Sequence, residues 1–190
     1  MKIVALLASP RRHGNSSGLA ERLMSILGKS GHTTKTYFLN SLSYRGCQAC
    51  MGCKTRSETC VLHDDLATVL EDVKEADSVV LASPVYWGDV SAQLKAFIDR
   101  TYSYLTPEFV TGPVRHRLES GKKLVFILSQ GADEALYGDI FPRYNGFFKE
   151  LGLFDETYLI RGCELGERED HLHREDLLAQ VDRIAALLQH

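Results

Sequence analysis

Basic residues are not in excess in this chain: 22 Lys and Arg stand against 25 Asp and Glu, for a formal net charge of -3. That balance excludes the cationic footprint a nucleic-acid binder needs. Long hydrophobic runs are also missing, so no segment reads as a membrane span. The apolar residues 1–8 run straight into Ser9-Pro10-Arg11-Arg12, which reads as a strand and its turn, not a signal peptide. The expected compartment is therefore the cytoplasm, where clustered cysteines serve metals or redox chemistry more often than structural disulfides. Neither G-x-G-x-x-G nor the P-loop pattern occurs, so a bridging pyrophosphate is not the expected ligand. Internal repeats, low-complexity tracts and interdomain linkers are absent too. The 190 residues, 44% of them hydrophobic, suit one domain spanning residues 1–190.

What is present is a rhythm. Apolar runs at residues 2–8, 33–39, 78–82, 123–128 and 154–160 read as buried strands, the first and third ended by Ser-Pro. Between them the spacing predicts helices. Leu19, Leu23, Ile26 and Leu27 share a face within residues 17–27. Asp64 or Asp65 caps the next helix, which carries Leu66, Val69, Leu70 and Val73. Residues 91–102, 144–151 and 169–188 complete the set. Strands alternating with helices predict an α/β fold, a parallel sheet with right-handed crossovers and helices on both faces. Ligands bind such sheets beyond the carboxyl ends of the strands, where strand order reverses. In the flavodoxin-like order 2-1-3-4-5, the loops after strands one, three and four form one rim.

The first of these loops, Ser9-Pro10-Arg11-Arg12-His13-Gly14-Asn15-Ser16-Ser17, brings hydroxyls, an amide and free backbone N–H groups to a helix start. That is a ready anion site, to which an arginine adds charge-assisted bonds, and a terminal monophosphate suits it. A plain helix cap with solvated arginines is the competing reading. The second loop, Pro84-Val85-Tyr86-Trp87-Gly88, is stiffened by proline and allows close approach at its glycine. A flat, electron-poor ring can lie along it, although Tyr86 and Trp87 also suit a core or an interface. The third, Ser129-Gln130-Gly131, adds small polar groups to the same rim.

Residues 40–63 follow neither period and hold Cys47, Cys50, Cys53 and Cys60. A loop this long inside a compact domain is usually functional or disordered. Cys-x2-Cys-x2-Cys with a fourth thiol nearby can supply all four ligands of one [4Fe–4S] cluster. Val61, not proline, follows Cys60, and no second run exists to share the ligands. Zinc fits poorly, because structural zinc sites use two separated pairs; free thiols in a mobile loop are the remaining reading. Cys163 reads as a packed thiol, His63 as a cap contact, and His171 and His173 as solvated positions near a helix start.

Together these segments resemble the NAD(P)H-dependent FMN reductase superfamily, and within it the iron–sulfur flavoprotein branch. The carrying residues are Ser9-Pro10-Arg11 with Gly14-Asn15-Ser16, Ser83 to Gly88 through Leu94-Lys95 and Asp99-Arg100, and the four cysteines ahead of Asp64-Asp65. The likeness covers roughly the first 135 residues in register. It implies a flavodoxin-like three-layer sandwich with a five-stranded parallel sheet, binding FMN without covalent attachment. On this resemblance the phosphate sits on Ser9, Arg11, Asn15, Ser16 and Ser17, and the isoalloxazine along Pro84, Val85, Tyr86, Trp87 and Gly88 with Ser129 and Gly131 nearby. It also implies a homodimer or homotetramer, with the cysteine loop near a subunit boundary. The expected function is a flavin-dependent oxidoreductase whose FMN and [4Fe–4S] cluster pass electrons between a reduced donor, ferredoxin or NAD(P)H, and an acceptor. A cluster-free NAD(P)H-dependent flavin or quinone reductase and a non-enzymatic metal-binding or redox-sensing module are the alternatives. Residues 103–121, irregular in composition, are expected to act as a lid, a dimer contact or both.

Overall fold

The protein is described here from a computed structural model covering residues 1–189. Five strands, β1 (Lys2–Leu7), β2 (Thr33–Phe38), β3 (Ser78–Tyr86), β5 (Lys123–Ser129) and β6 (Glu156–Gly162), pair in parallel in the order β2-β1-β3-β5-β6. Counted among the parallel strands alone, this is the 2-1-3-4-5 order expected from the sequence. A sixth strand, β4 (Asp89–Val90), returns antiparallel onto the end of β3, so the sheet has one short strand more than expected. The cause is that β3 does not stop at Ser83-Pro84. Pro84 stays in register beside Ser129 at the end of the sheet, where proline's missing donor costs the ladder least. The chain then reverses through Trp87 (φ 51) and Gly88 (φ 76). Two positive φ values in a two-residue loop make the turn that matches strand twist.

Both faces of the sheet are covered, which explains the near-continuous apolar runs of its strands. Successive side chains point to opposite faces. Ile3, Ala5 and Leu7 meet Leu19, Leu23 and Leu27 of α1 (Asn15–Lys29) and Val181 and Ile184 of α6 (Glu175–Leu188). Val4 and Leu6 join Leu66, Val69 and Val73 of α3 (Leu66–Glu75), Leu94 and Phe97 of α4 (Ala92–Arg100), and Tyr144 and Phe148 of α5 (Ile140–Glu150). Helix α5 begins one turn before the expected start, because Pro142 falls in its first turn, where proline is tolerated. Helix α6 begins later than expected, because residues 170–173 wind into a 3-10 turn.

The long cysteine loop contains only a 3-10 turn (Leu39–Ser41) and a single helical turn, α2 (Gly52–Thr55). Residues 103–121 fold back on themselves: Leu105 bridges His116, and Arg117 N–H donates to the Tyr104 carbonyl at 2.7 Å. Among the described residues, no helix is long and apolar enough to cross a membrane.

Asp72 ties α3 to β1 and β2, accepting from Lys2 at 3.2 Å and from Lys35 and Tyr37. Burial pushes its carboxyl up, but the bonds from Lys35, Tyr37 and Lys2 outweigh burial and hold it at about 2, below the ordinary 3.8. A depressed folded-state value means the stabilisation is complete above the unfolded value and disappears as pH falls through the folded one. The urea midpoint of the wild type is expected to drop more steeply between about pH 4 and about pH 2 than that of Asp72→Asn. Parallel pH profiles for the two proteins refute this.

Candidate functional site

The carboxyl ends of β1, β3 and β5 open onto a polar cleft of about 180 Å³ lined by Ser9, Arg11, Gly14, Asn15, Pro84, Val85, Tyr86, Ser129, Gln130 and Gly131. The structure thus brings residues from all three rim loops to one place. Trp87 and Gly88 lie beyond the lining on the β3–β4 turn, where Trp87 is fully exposed. Sites that enclose a drug-sized ligand run to roughly 300–1,000 Å³. A cleft of this size has room for one end of such a ligand.

Two buried serines lock the loops together. Ser91 Oγ donates to the Ala8 carbonyl at 2.8 Å, and Ser91 N–H donates to Ser83 Oγ at 2.9 Å. The turn tip is held from α5, where Tyr144 and Arg143 donate to the two Asp89 oxygens at 2.8 and 2.9 Å. Burial raises the Asp89 carboxyl, and the Arg143 bond, with those from Val90 and Tyr144, brings it below its ordinary value.

Helix α1 starts at this cleft without a side-chain cap and with no acidic residue in its first turn. The first N–H groups of a helix have no partner within it. Ser16 and Ser17 are buried directly behind them, at 1% and 0% exposure, and neither Oγ has a hydrogen-bond partner. Orphaned buried hydroxyls cost stability unless something accepts from them. Gly14 is required for close approach, since a Cβ there would sit 2.6 Å from Ser9 Oγ. Ser9 Oγ itself accepts from Arg11 N–H at 3.1 Å. The Asn15 side chain is committed elsewhere: its Nδ2 donates to the Glu167 carbonyl at 2.8 Å, and its Oδ1 accepts from His171 N–H at 3.1 Å.

Those bonds expose what the sequence reading missed. A fourth wall, Leu165 and Gly166, comes from the loop after β6. It is zipped to the third loop by Leu165 N–H to the Gln130 carbonyl (2.9 Å) and Glu164 N–H to the Ala132 carbonyl (3.0 Å). His171, expected to be solvated, is 5% exposed, and its Nδ1 lies 3.0 Å from Asn15 Oδ1. Burial lowers its pKa, against the pull of Glu169 and Asp170. Its ring lies against Gly18, the one position in α1 where the backbone offers it room. The signal was a glycine inside a good helix, where alanine is otherwise preferred.

The four loop cysteines are all free, and all line a second, smaller void together with Arg100 and Tyr102. Cys53 and Cys60 are half-buried; Cys47 and Cys50 are exposed at its mouth. Ala49 (φ 50) and Met51 (φ 55) place left-handed backbone on either side of Cys50, the kind of winding that turns successive N–H groups toward anions and iron–sulfur sites. The enclosed part measures only about 20 Å³. Among the described residues, no three His, Cys, Asp or Glu side chains converge closely enough to hold a single metal ion. The thiols surround a space without meeting at a point. Cys163 is half-buried away from this group, and burial raises its thiol pKa.

The family pattern described as NADPH-dependent FMN reductase matches residues 1–137. An iron–sulfur flavoprotein of Archaeoglobus fulgidus is 36% identical over 98% of this chain and 97% of its own length. The likeness therefore runs on through the C-terminal part, where the sequence reading saw only a shared rhythm. A second iron–sulfur flavoprotein of that organism is 39% identical over 55% of this chain and 47% of its own length. The chain thus spans about half the length of several curated relatives it matches. In fold, it is similar to the NAD(P)H:quinone oxidoreductase from Methanothermobacter marburgensis, with a TM-score of 0.76 at 21% identity over 100% of this chain and 96% of that one.

A Cβ built at Gly18 would lie 2.1 Å from His171 Nε2. Gly18→Ala is expected to lower unfolding free energy by about 1–3 kcal/mol, as overpacking does. In a His171→Ala background the same substitution is expected to cost nothing, a coupling read from urea denaturation of the double-mutant cycle. An equal cost in both backgrounds removes the packing argument.

Proposed function

The chain belongs to the NADPH-dependent FMN reductase family, and on that premise we propose that it is a flavin-dependent oxidoreductase that carries a cysteine-bound [4Fe–4S] cluster beside its FMN. The observation that carries the flavin half is the pair of buried, unpartnered hydroxyls of Ser16 and Ser17 behind the free amino end of α1. A phosphate monoester supplies acceptors for these hydroxyls and for the first N–H groups of the helix, and the helix end favours its charge. Arg11 adds a cation from the loop, and Ser9 a short polar wall. Asn15 serves by holding the fourth wall in place, and by its backbone N–H. Pro84, Val85 and Tyr86 offer a stiff edge for a flat ring, with Ser129 and Gly131 opposite. The exposed faces of Tyr86 and Trp87 leave the mouth open to a planar donor or acceptor.

The donor set of Cys47, Cys50, Cys53 and Cys60 fits a four-iron cluster by number, by thiolate chemistry and by their shared void. A cluster held by all four would have to sit at the exposed mouth, since the enclosed part is about 20 Å³. When bound, FMN supplies redox chemistry in steps of one or two electrons and the cluster in steps of one. The chain's part is spacing. Helix α4 is capped by Ser91 at the cleft and ends at Arg100 on the cysteine void. Its nine residues put roughly 13 Å of rigid helix between those two ends. NAD(P)H or a ferredoxin is the donor class this arrangement suits, in an assembly of two or four chains in the cytoplasm.

A cluster-free NAD(P)H-dependent reductase is favoured by one observation, the exposure of Cys47 and Cys50 without convergence of the thiols. An absorption spectrum of anaerobically prepared protein, with iron and acid-labile sulfide measured, separates the two. Flavin bands without iron or sulfide end the cluster reading and leave the flavin reading intact. For the flavin, Ser16→Ala/Ser17→Ala is expected to weaken FMN binding by tenfold or more, at about 1.5–3 kcal/mol for each bond to a charged group. Riboflavin, which lacks the phosphate, should bind both proteins alike in fluorescence titrations, and the flavin-free variant should be no less stable than wild type. An unchanged FMN affinity overturns the phosphate site.

A further inference from the structure

Arg100 is 1% exposed, the largest fully buried side chain among the described residues. Its Nη1 donates to the Asp64 carboxylate at 2.9 Å and to the Arg45 carbonyl at 3.0 Å, and Nη2 reaches the Leu62 carbonyl at 3.4 Å. Nε has no partner, although it is buried. The side chain lines the void of the four cysteines. A buried guanidinium N–H without an acceptor is costly, and costlier for carrying charge.

Two more cations stand around the same loop without carboxylate partners. Lys54 Nζ donates to the carbonyls of Tyr102 and Leu105 at 2.6 and 2.7 Å. Burial lowers its pKa, opposed by the neighbouring thiols and assisted by Arg117. Arg117 donates to the carbonyls of Ser103, Leu105 and Cys53. Among the described residues, Asp64 is the one carboxylate bonded to any of these three cations. Neutral thiols leave that positive charge uncompensated. An iron–sulfide core carries less positive charge than four thiolates carry negative, so the thiolate-held cluster is an anion overall and would compensate it.

We infer that Arg100 is a positioning residue for the cysteine-bound cluster, donating its free Nε–H into the thiol void and supplying buried positive charge beside it. This inference rests on the cluster reading above. No bond is made or broken. The physical effect is on the electron: nearby positive charge and hydrogen bonds to sulfur favour the reduced cluster, and so raise its reduction potential.

The test is an anaerobic redox titration of the reconstituted full chain, with dithionite as reductant and the cluster's absorbance and EPR signals as readout. Arg100→Gln is expected to lower the ratio of reduced to oxidised cluster at fixed ambient potential about tenfold, equivalent to about 59 mV for one electron. Arg100→Lys, which keeps the charge and loses the Nε–H, should fall less. Asp64→Asn loosens the same ion pair but removes a negative charge, and should leave the potential unchanged or raise it. An unchanged potential in Arg100→Gln, or an equal fall in Asp64→Asn, overturns the inference and leaves Arg100 a pin for the loop. Should Arg100→Gln fail to fold or to load, Arg100→Lys decides alone, and an unchanged potential there overturns it. Wild type that takes up flavin but neither iron nor sulfide overturns this inference together with the cluster reading. Wild type that loads the cluster while the variants do not shift overturns this inference alone.

Discussion

A helix whose amino end is buried must have its N–H groups satisfied, and α1 leaves that requirement open. Among the described residues no side chain caps it, no carboxylate lies in its first turn, and two buried hydroxyls beside it have no acceptor. The rest of the rim is arranged around this unmet demand. Gly14 lets Ser9 close in, the Ser83–Ser91 bonds hold the second loop against the first, and Gln130 fastens the third to the fourth. Because loops cost conformational entropy to order, such cross-bracing holds the rim in one arrangement.

The cysteine void presents the same logic with the charges reversed in origin. There the protein supplies one buried cation, Arg100, and two half-buried ones, Lys54 and Arg117, with Asp64 the one carboxylate bonded to any of them among the described residues. Helix α4 connects the two places. Its capping serine is bonded to the first two rim loops and its last residue lines the thiol void, so one rigid segment fixes both ends.

Much of the architecture was legible in the chain. Strands buried on both faces leave continuous apolar runs, and those runs marked all five parallel strands; their order was expected from the flavodoxin-like resemblance. The departures have local causes. Ser83-Pro84 read as a stop because proline usually ends a strand, yet at the sheet's end it remains in register, and the extension creates the β4 hairpin and presents Trp87. Pro142 hid the first turn of α5 for a similar reason. His171 read as solvated because polar residues near a helix start usually are. Its burial depends on Gly18, far away in sequence, and no periodicity in either segment reports that contact.

The sequence by itself determined which groups were available: hydroxyls and an arginine at a helix start, a proline-stiffened aromatic loop, and four closely spaced thiols. Local chemistry suffices for that, because turn, cap and ligand preferences act over a few residues. Only the tertiary structure decided how they are spent. It committed the Asn15 amide to the fourth wall, left the Ser16 and Ser17 hydroxyls without acceptors, and buried Arg100 beside the cysteines with one donor free. Satisfaction of a polar group is a property of its three-dimensional neighbours, and those come from parts of the chain that the sequence keeps far apart.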